Sequence, residues 1–193
     1  LWYSNNNGRI WTRSMIRSVP IRGIFNSVFM VGVYAIAGGN NGLWYSINSG
    51  VTWTQSVDNG NNPTVGIFNS VYMVGTNAIA GSLSNMGLWI SNNYGQTWFN
   101  LETNKIGNFK SVCINIFNNA IAGSSSNNGI YYTSDSGATW TISSINTGGI
   151  DTTGTGNFYS LALSSNATIL RIKSVILSFF FIPYSPACNS SNL

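Results

Sequence analysis

The sequence predicts an all-β chain, a β-propeller of four-stranded antiparallel blades. Three observations point there. A set of landmark residues returns at steps of about 42 to 45 positions, each step holds four short apolar or alternating runs, and no segment sustains the 3.6-residue period of an amphipathic helix. Four short strands in a little over forty residues is the spacing of a propeller blade, whereas the rung of a parallel β-helix is shorter.

The repeats divide residues 1–170 into units of about 1–14, 23–56, 66–102, 107–144 and 156–170. Three complete units therefore lie between two halves. The chain opens with third- and fourth-strand material and ends its repeats with first- and second-strand material, and these halves are complementary. They predict either a four-bladed ring closed by the two halves or a partial piece of a ring of six to eight blades; the decay of the last repeat, where "ATIL" stands for "AIAG", favours the partial piece. Residues 171–193 carry no further repeat and read as a divergent C-terminal strand and tail.

Within a unit the first run is "GIFNSVFMVG" at Gly23, "GIFNSVYMVG" at Gly66, "GNFKSVCINI" at Gly107 and "GNFYSLALSS" at Gly156. The second is "AIAG" at Ala35, Ala78 and Ala120, and the third begins "GLW" or "GIY" at Gly42, Gly87 and Gly129. Bounding Gly and Asn residues mark each as a short strand. Between the third and fourth runs stands a frame of the form Ser/Thr-x-Asn/Asp-x-Gly-x-Thr-Trp. Its members are Ser46, Asn48, Gly50, Thr52 and Trp53; Ser91, Asn93, Gly95, Thr97 and Trp98; Thr133, Asp135, Gly137, Thr139 and Trp140; and, with Ile10 in place of Thr, Ser4, Asn6, Gly8 and Trp11.

A turn explains the frame. The Asn or Asp oxygen accepts backbone N–H groups of its own turn, and the glycine takes a positive φ without a Cβ penalty. The indole that follows fills the space between sheets. Trp53, Trp98 and Trp140 are expected to be largely buried, and Asn48, Asn93 and Asp135 to accept turn hydrogen bonds.

Composition limits the chemistry. Charged residues make up 6% of the chain, and the formal net charge of +4 comes from eight cations against four anions. Arg9, Arg13, Arg17 and Arg22 gather half of the cations near the start and form a weak candidate for an anion or partner site. They fall short of the clustered run that a nucleic-acid footprint needs, so no nucleic-acid partner is expected. There is no histidine, and Cys113 and Cys188 fit no metal spacing, so neither cofactor nor metal is expected. The most apolar run, Ser174 to Pro183, is about half the length a bilayer-crossing helix requires, so no membrane span is expected. Tyr94, at a frame tip, is read as an exposed aromatic able to meet a sugar or a protein. The stretch "NTGGIDTTGTG" from Asn146 lengthens one connection between units.

"SINSGVTW", "SNNYGQTW" and "TSDSGATW" resemble the Ser-x-Asp-x-Gly-x-Thr-Trp box of the Asp-box, or BNR, repeat proteins. That group includes sialidase-like and sortilin-like propellers, some glucanases and the photosystem II stability/assembly factors. The resemblance implies a propeller in which the box is structural, and an extracytoplasmic setting is slightly favoured by it. Sialidase chemistry, as the family implies it, needs three arginines from different blades, a tyrosine with an acidic partner and an acid/base Asp. Here four of five arginines lie together, Arg171 is alone, and the acidic residues are only Asp58, Glu102, Asp135 and Asp151. The expectation is therefore a non-enzymatic interaction scaffold with a protein partner, in the style of the assembly factors. The alternatives are a fragment of a glycoside hydrolase propeller and a carbohydrate-binding propeller.

Overall fold

A computed structural model describes residues 1–83, 86–101, 107–125, 129–146, 151–153, 157–163 and 169–170. Among these residues every regular element is a β-strand, and the fold is a β-propeller. Three sheets, each with four antiparallel strands in chain order, form its blades, and the second gains a fifth strand, Val57–Asp58, parallel to its last. The first comprises Phe25–Val31, Tyr34–Gly39, Gly42–Ser46 and Thr54–Gln55; the second Phe68–Val74, Asn77–Ser82, Leu88–Ser91 and Thr97–Asn100; the third Phe109–Ile114, Ala120–Ser124, Ile130–Thr133 and Thr141–Ile142. In each, strands pair in chain order, as hairpins of few residues require. The two half-units are separate two-stranded sheets, Trp2–Tyr3 with Thr12–Arg13 and Ala162–Leu163 with Ile169–Leu170. The connection that includes part of "NTGGIDTTGTG" is itself a hairpin, Ser144–Asn146 against Asp151–Thr153. Residues 171–193, predicted as strand and tail, lie outside the described residues, as does Cys188.

The "FNSV" run earns its repetition at a β-bulge. In all three blades the register slips between the phenylalanine and the serine of the leading strand, at Phe25/Ser27, Phe68/Ser70 and Phe109/Ser111. A bulge leaves one residue unpaired within its own ladder and turns its side chain outward. Two of those residues are asparagines. Asn26 Nδ2 donates to the Phe68 carbonyl at 3.0 Å, and Asn69 Nδ2 to the Phe109 carbonyl at 3.2 Å, each in the next blade. The adjoining serine completes the stitch: Val71 N–H donates to Ser27 Oγ, Val112 N–H to Ser70 Oγ and Leu161 N–H to Ser111 Oγ, at 3.0 to 3.2 Å. Consecutive leading strands are thus tied by side chains instead of a backbone ladder.

Apolar packing fills the same seams. The second-strand glycine of each blade faces the next blade's leading strand so closely that a Cβ on Gly38, Gly81 or Gly123 would lie 2.9, 2.8 and 2.8 Å from the Cβ of Phe68, Phe109 and Phe158. No methyl group fits there. Phe68, Phe109 and Phe158 are buried accordingly, as are Val71 and Val112. Val28 and Met30, which occupy the same positions in the first blade, have no such neighbour among the described residues and are 56% exposed, whereas Met73 is fully buried.

The frame tryptophans obey the same rule. Each packs toward the preceding unit, so its burial depends on what lies there. Trp98 is fully enclosed in a cluster with Ile36 and Leu43 of the first blade and Phe68, Met73 and Trp89 of its own. Trp53 is buried beneath Ile21, with Leu1 and Ile16 packed against the same cluster. Trp11 has no preceding unit among the described residues and is 57% exposed. Trp140 packs against the cluster of Ile79, Leu88 and Phe109 and is less fully enclosed than Trp53 and Trp98. The reason lies in the chain that crosses each frame. Ser14 Oγ donates to the Gly50 carbonyl and Ser56 Oγ to the Gly95 carbonyl, both at 2.6 Å, while Val57–Asp58 pairs in parallel with Thr97–Trp98. At the third seam Leu101 takes the place of that serine, so the Gly137 carbonyl has no hydroxyl donor from that position.

Two substitutions test this dependence on the preceding unit. Trp98→Ala is expected to lower the unfolding free energy by about 3–5 kcal/mol, and Trp11→Ala by less than about 1 kcal/mol, measured by urea denaturation. Gly81→Ala, which adds one methyl group against Phe109, is expected to lower the thermal midpoint, a direction opposite to the usual stabilising effect of Gly→Ala on the unfolded chain.

Candidate functional site

The four frames fold into one turn. In the second, Ser46 Oγ donates to Asn48 Oδ1 at 3.0 Å and accepts the Gly50 N–H at 3.0 Å; Asn48 Oδ1 also accepts the Thr52 N–H at 2.9 Å. The third repeats this through Ser91, Asn93, Gly95 and Thr97. In the first, Ile10 donates the same N–H to Asn6 Oδ1 at 2.8 Å, with Ser4 accepting from Gly8, so the departure from Thr leaves the backbone turn intact. Trp53 Nε1 and Trp98 Nε1 bend back to the carbonyls of Gly50 and Gly95 at 3.0 and 2.8 Å. The glycine carbonyl therefore receives an indole from its own turn and a serine hydroxyl from the chain crossing it.

Sequence reasoning placed the positive φ on the glycine alone. Each turn has two: Asn7, Ser49, Tyr94 and Ser136 precede the glycines and stand at φ between 57° and 60°. Asparagine and serine tolerate this region better than most residues; for a tyrosine it is uncommon. The turn imposes this conformation on Tyr94 as on the other three, and its ring lies on Tyr34 of the first blade, with centroids 3.7 Å apart and planes at 15°. It is half-buried against the main cluster, which corrects its reading as an exposed tip aromatic.

In the fourth turn Asp135 takes the asparagine's place. The Thr133 hydroxyl donates to it at 2.6 Å, and the hydroxyl and backbone N–H of Thr139 donate as well; these bonds hold its carboxyl at about 2 instead of 3.8. Asp58 is used in the same way, with Oδ1 accepting the N–H groups of Gly60 and Asn62 and its pKa lowered chiefly by the Asn62 bond. Glu102 lies outside the described residues. Among the described residues no three His, Cys, Asp or Glu side chains come together to hold a metal ion.

The arginines do not form a compact cluster of partners. Arg9 sits in the first turn, Arg17 in a two-residue turn at φ 54° between Met15–Ile16 and Val19–Pro20, and Arg22 just beyond; all three are exposed. Arg13 lies over the Trp2 ring with its Cζ 5.7 Å from the centroid, a cation–π contact. What sequence reasoning missed is a cleft of about 170 Å³ between the second and third blades, lined among others by Ile90, Ile114, Phe99, Asn77, Asn118 and Ser136. Its only advance signal was the difference between repeat units at those positions.

No protein-family model and no curated protein matches the sequence. Solved structures do match the fold. An ancestral GH74 enzyme aligns with 72% of this chain at 19% identity and a TM-score of 0.53. The computationally designed Ika4 protein aligns with 79% at 8% identity and 0.54, and YCF48 from Cyanidioschyzon merolae with 67% at 17% identity and 0.50. The chain spans 20% of the GH74 enzyme, 42% of YCF48 and 86% of Ika4. At these identities the likeness concerns the propeller fold. Among the described residues no helix is long and apolar enough to cross a membrane.

A titration separates the charged turn from its neutral relatives. Because the folded pKa of Asp135 lies below the unfolded value, its contribution to stability is complete above about pH 4 and lost as the pH falls toward about 2. Asp135→Asn, the residue of the other frames, is expected to flatten the fall of the thermal midpoint across that window, as read by circular dichroism.

Proposed function

We propose that this chain is a non-catalytic propeller scaffold of the Asp-box type, holding a protein partner on its loops in the manner of the assembly-factor-like members of that group. One observation carries the reading. The two carboxylates described in side-chain detail, Asp58 and Asp135, are both consumed by hydrogen bonds within their own turns, and the frame residues Ser4, Asn6, Ser46, Asn48, Ser91, Asn93, Thr133 and Asp135 bond to their own turns. A glycoside hydrolase needs two carboxyl groups free to face a sugar from either side, at a separation of roughly 5 to 9.5 Å. A rigid ring presenting loops needs none.

A second reading is a piece of a glycoside hydrolase propeller. It draws on the likeness to the GH74 enzyme, of which this chain spans a fifth. The two readings part on turnover and on capture. The purified chain is expected to release no reducing sugar from β-glucan or sialoside substrates over a day, and to bind members of a peptide array reproducibly. Measurable turnover that disappears on replacing Asp58 or Asp151 would overturn the scaffold reading.

A further inference from the structure

The repeats supply an internal control for the cleft between the second and third blades. At the seam between the first and second blades, the same two positions are Tyr34, which opens the second strand of one blade, and Tyr94, which precedes the frame glycine of the next; their rings stack face to face and fill the gap. At the following seam these positions are Asn77 and Ser136, and the gap stays open as the cleft of about 170 Å³. The spacing differs in the same sense. A Cβ on Gly95 would lie 2.4 Å from Ile36, whereas one on Gly137 would find its nearest neighbour, Ile90, 3.4 Å away.

Resting on the reading of the chain as a protein-binding scaffold, we infer that this cleft is a docking slot for a tyrosine side chain of a partner peptide. The fold shows that two flat rings fit such a seam, so a slot with both removed accepts a flat ring from outside. The walls are chiefly apolar, from Ile90, Ile114 and the half-open Phe99, which suits a ring face. Neutral amides also line the slot: Asn77 Nδ2 donates to Asn118 Oδ1 at 2.7 Å, so the Asn77 side chain offers its oxygen as the acceptor we assign to a phenol hydroxyl. A pyranose is thicker than an arene and carries hydroxyls around its whole edge, whereas the surface this cleft presents is chiefly apolar despite Asn77, Ser91, Asn92, Asn118 and Ser136 in its lining. Beside the slot, the turn that holds Asn118 exposes Ile116 and Phe117, at 65% and 60%, held in place by Asn115 Oδ1, which accepts the Phe117 and Asn119 N–H groups. Adjacent apolar residues of that kind suit the flanking side chains of a peptide.

The test plugs the slot with the rings the first seam already carries. Tyr94 occupies a φ of 59° and Ser136 one of 60°, so Ser136→Tyr adds no backbone strain that the fold has not accepted once. Binding of the blocked tripeptide Ac-Gly-Tyr-Gly-amide is followed by amide chemical shifts in the full chain, with Ac-Gly-Leu-Gly-amide and methyl β-glucoside as controls. The expected result is saturable shifts at Asn77, Ile90, Asn118 and Ser136 with the tyrosine peptide, weakened at least about tenfold in N77Y/S136Y, whose thermal midpoint rises as the void fills. If that double variant does not fold, S136Y alone serves. Shifts with the glucoside and none with the tyrosine peptide overturn the inference in favour of a sugar, and no shifts with any probe reduce the slot to an unfilled packing gap. Array peptides that bind the plugged variant as tightly as the parent overturn the slot while leaving the scaffold reading in place.

Discussion

The structure depends on how closely one blade can approach the next. A second-strand glycine faces the leading phenylalanine of the following unit at a distance that excludes even a methyl group, at Gly38 with Phe68, Gly81 with Phe109 and Gly123 with Phe158. That proximity lets the bulged Asn and Ser side chains reach across and bond the neighbouring strand, and it closes the apolar seam in which the indoles lie. Interior packing tolerates few voids, so a looser approach would forfeit both the dispersion contacts and the short side-chain bonds at once. The leading strands have no backbone ladder between them to compensate; the described backbone ties between units are short, such as Val57–Asp58 beside Thr97–Trp98.

This arrangement accounts for a chain with so few charges. Solvation is left to Asn, Ser, Thr and Gly, and many of those same residues are spent inside the fold, bracing turns or crossing seams. Asp135 illustrates the economy: it does in one turn what asparagine does in the other three, and its charge adds a dependence on acid that the others lack. The turns themselves are interchangeable parts. Their differences, such as Ile10 for Thr or Tyr94 for Ser, alter what surrounds the turn without altering the turn.

Variation between units is therefore where a site can arise. Stacked tyrosines seal one seam, and amide and hydroxyl groups leave the next open. Similarly, the serine that crosses two of the frames is a leucine before the third, and the indole beneath it is less covered. A scaffold built from near-identical leaves acquires function by departing from its own repeat at a few positions, because the shared positions are committed to stacking.

Strand order, blade length and the form of the turns were legible from the sequence alone, since each follows from local pattern: alternation, turn residues and a fixed repeat step. Leading-strand motifs were visible as repeats but not as stitches, because a bulge that frees Asn26 and Asn69 is a matter of register between strands. Burial of individual indoles could not be read either. Trp11, Trp98 and Trp140 share one local motif and differ in what stands before them in space. The same holds for Tyr94, whose ring meets one sixty positions earlier, and for the cleft, where the corresponding positions of the next seam are Asn77 and Ser136. Local chemistry decided the shape of each leaf; the tertiary structure alone decided which side chains face a neighbour and which face a gap.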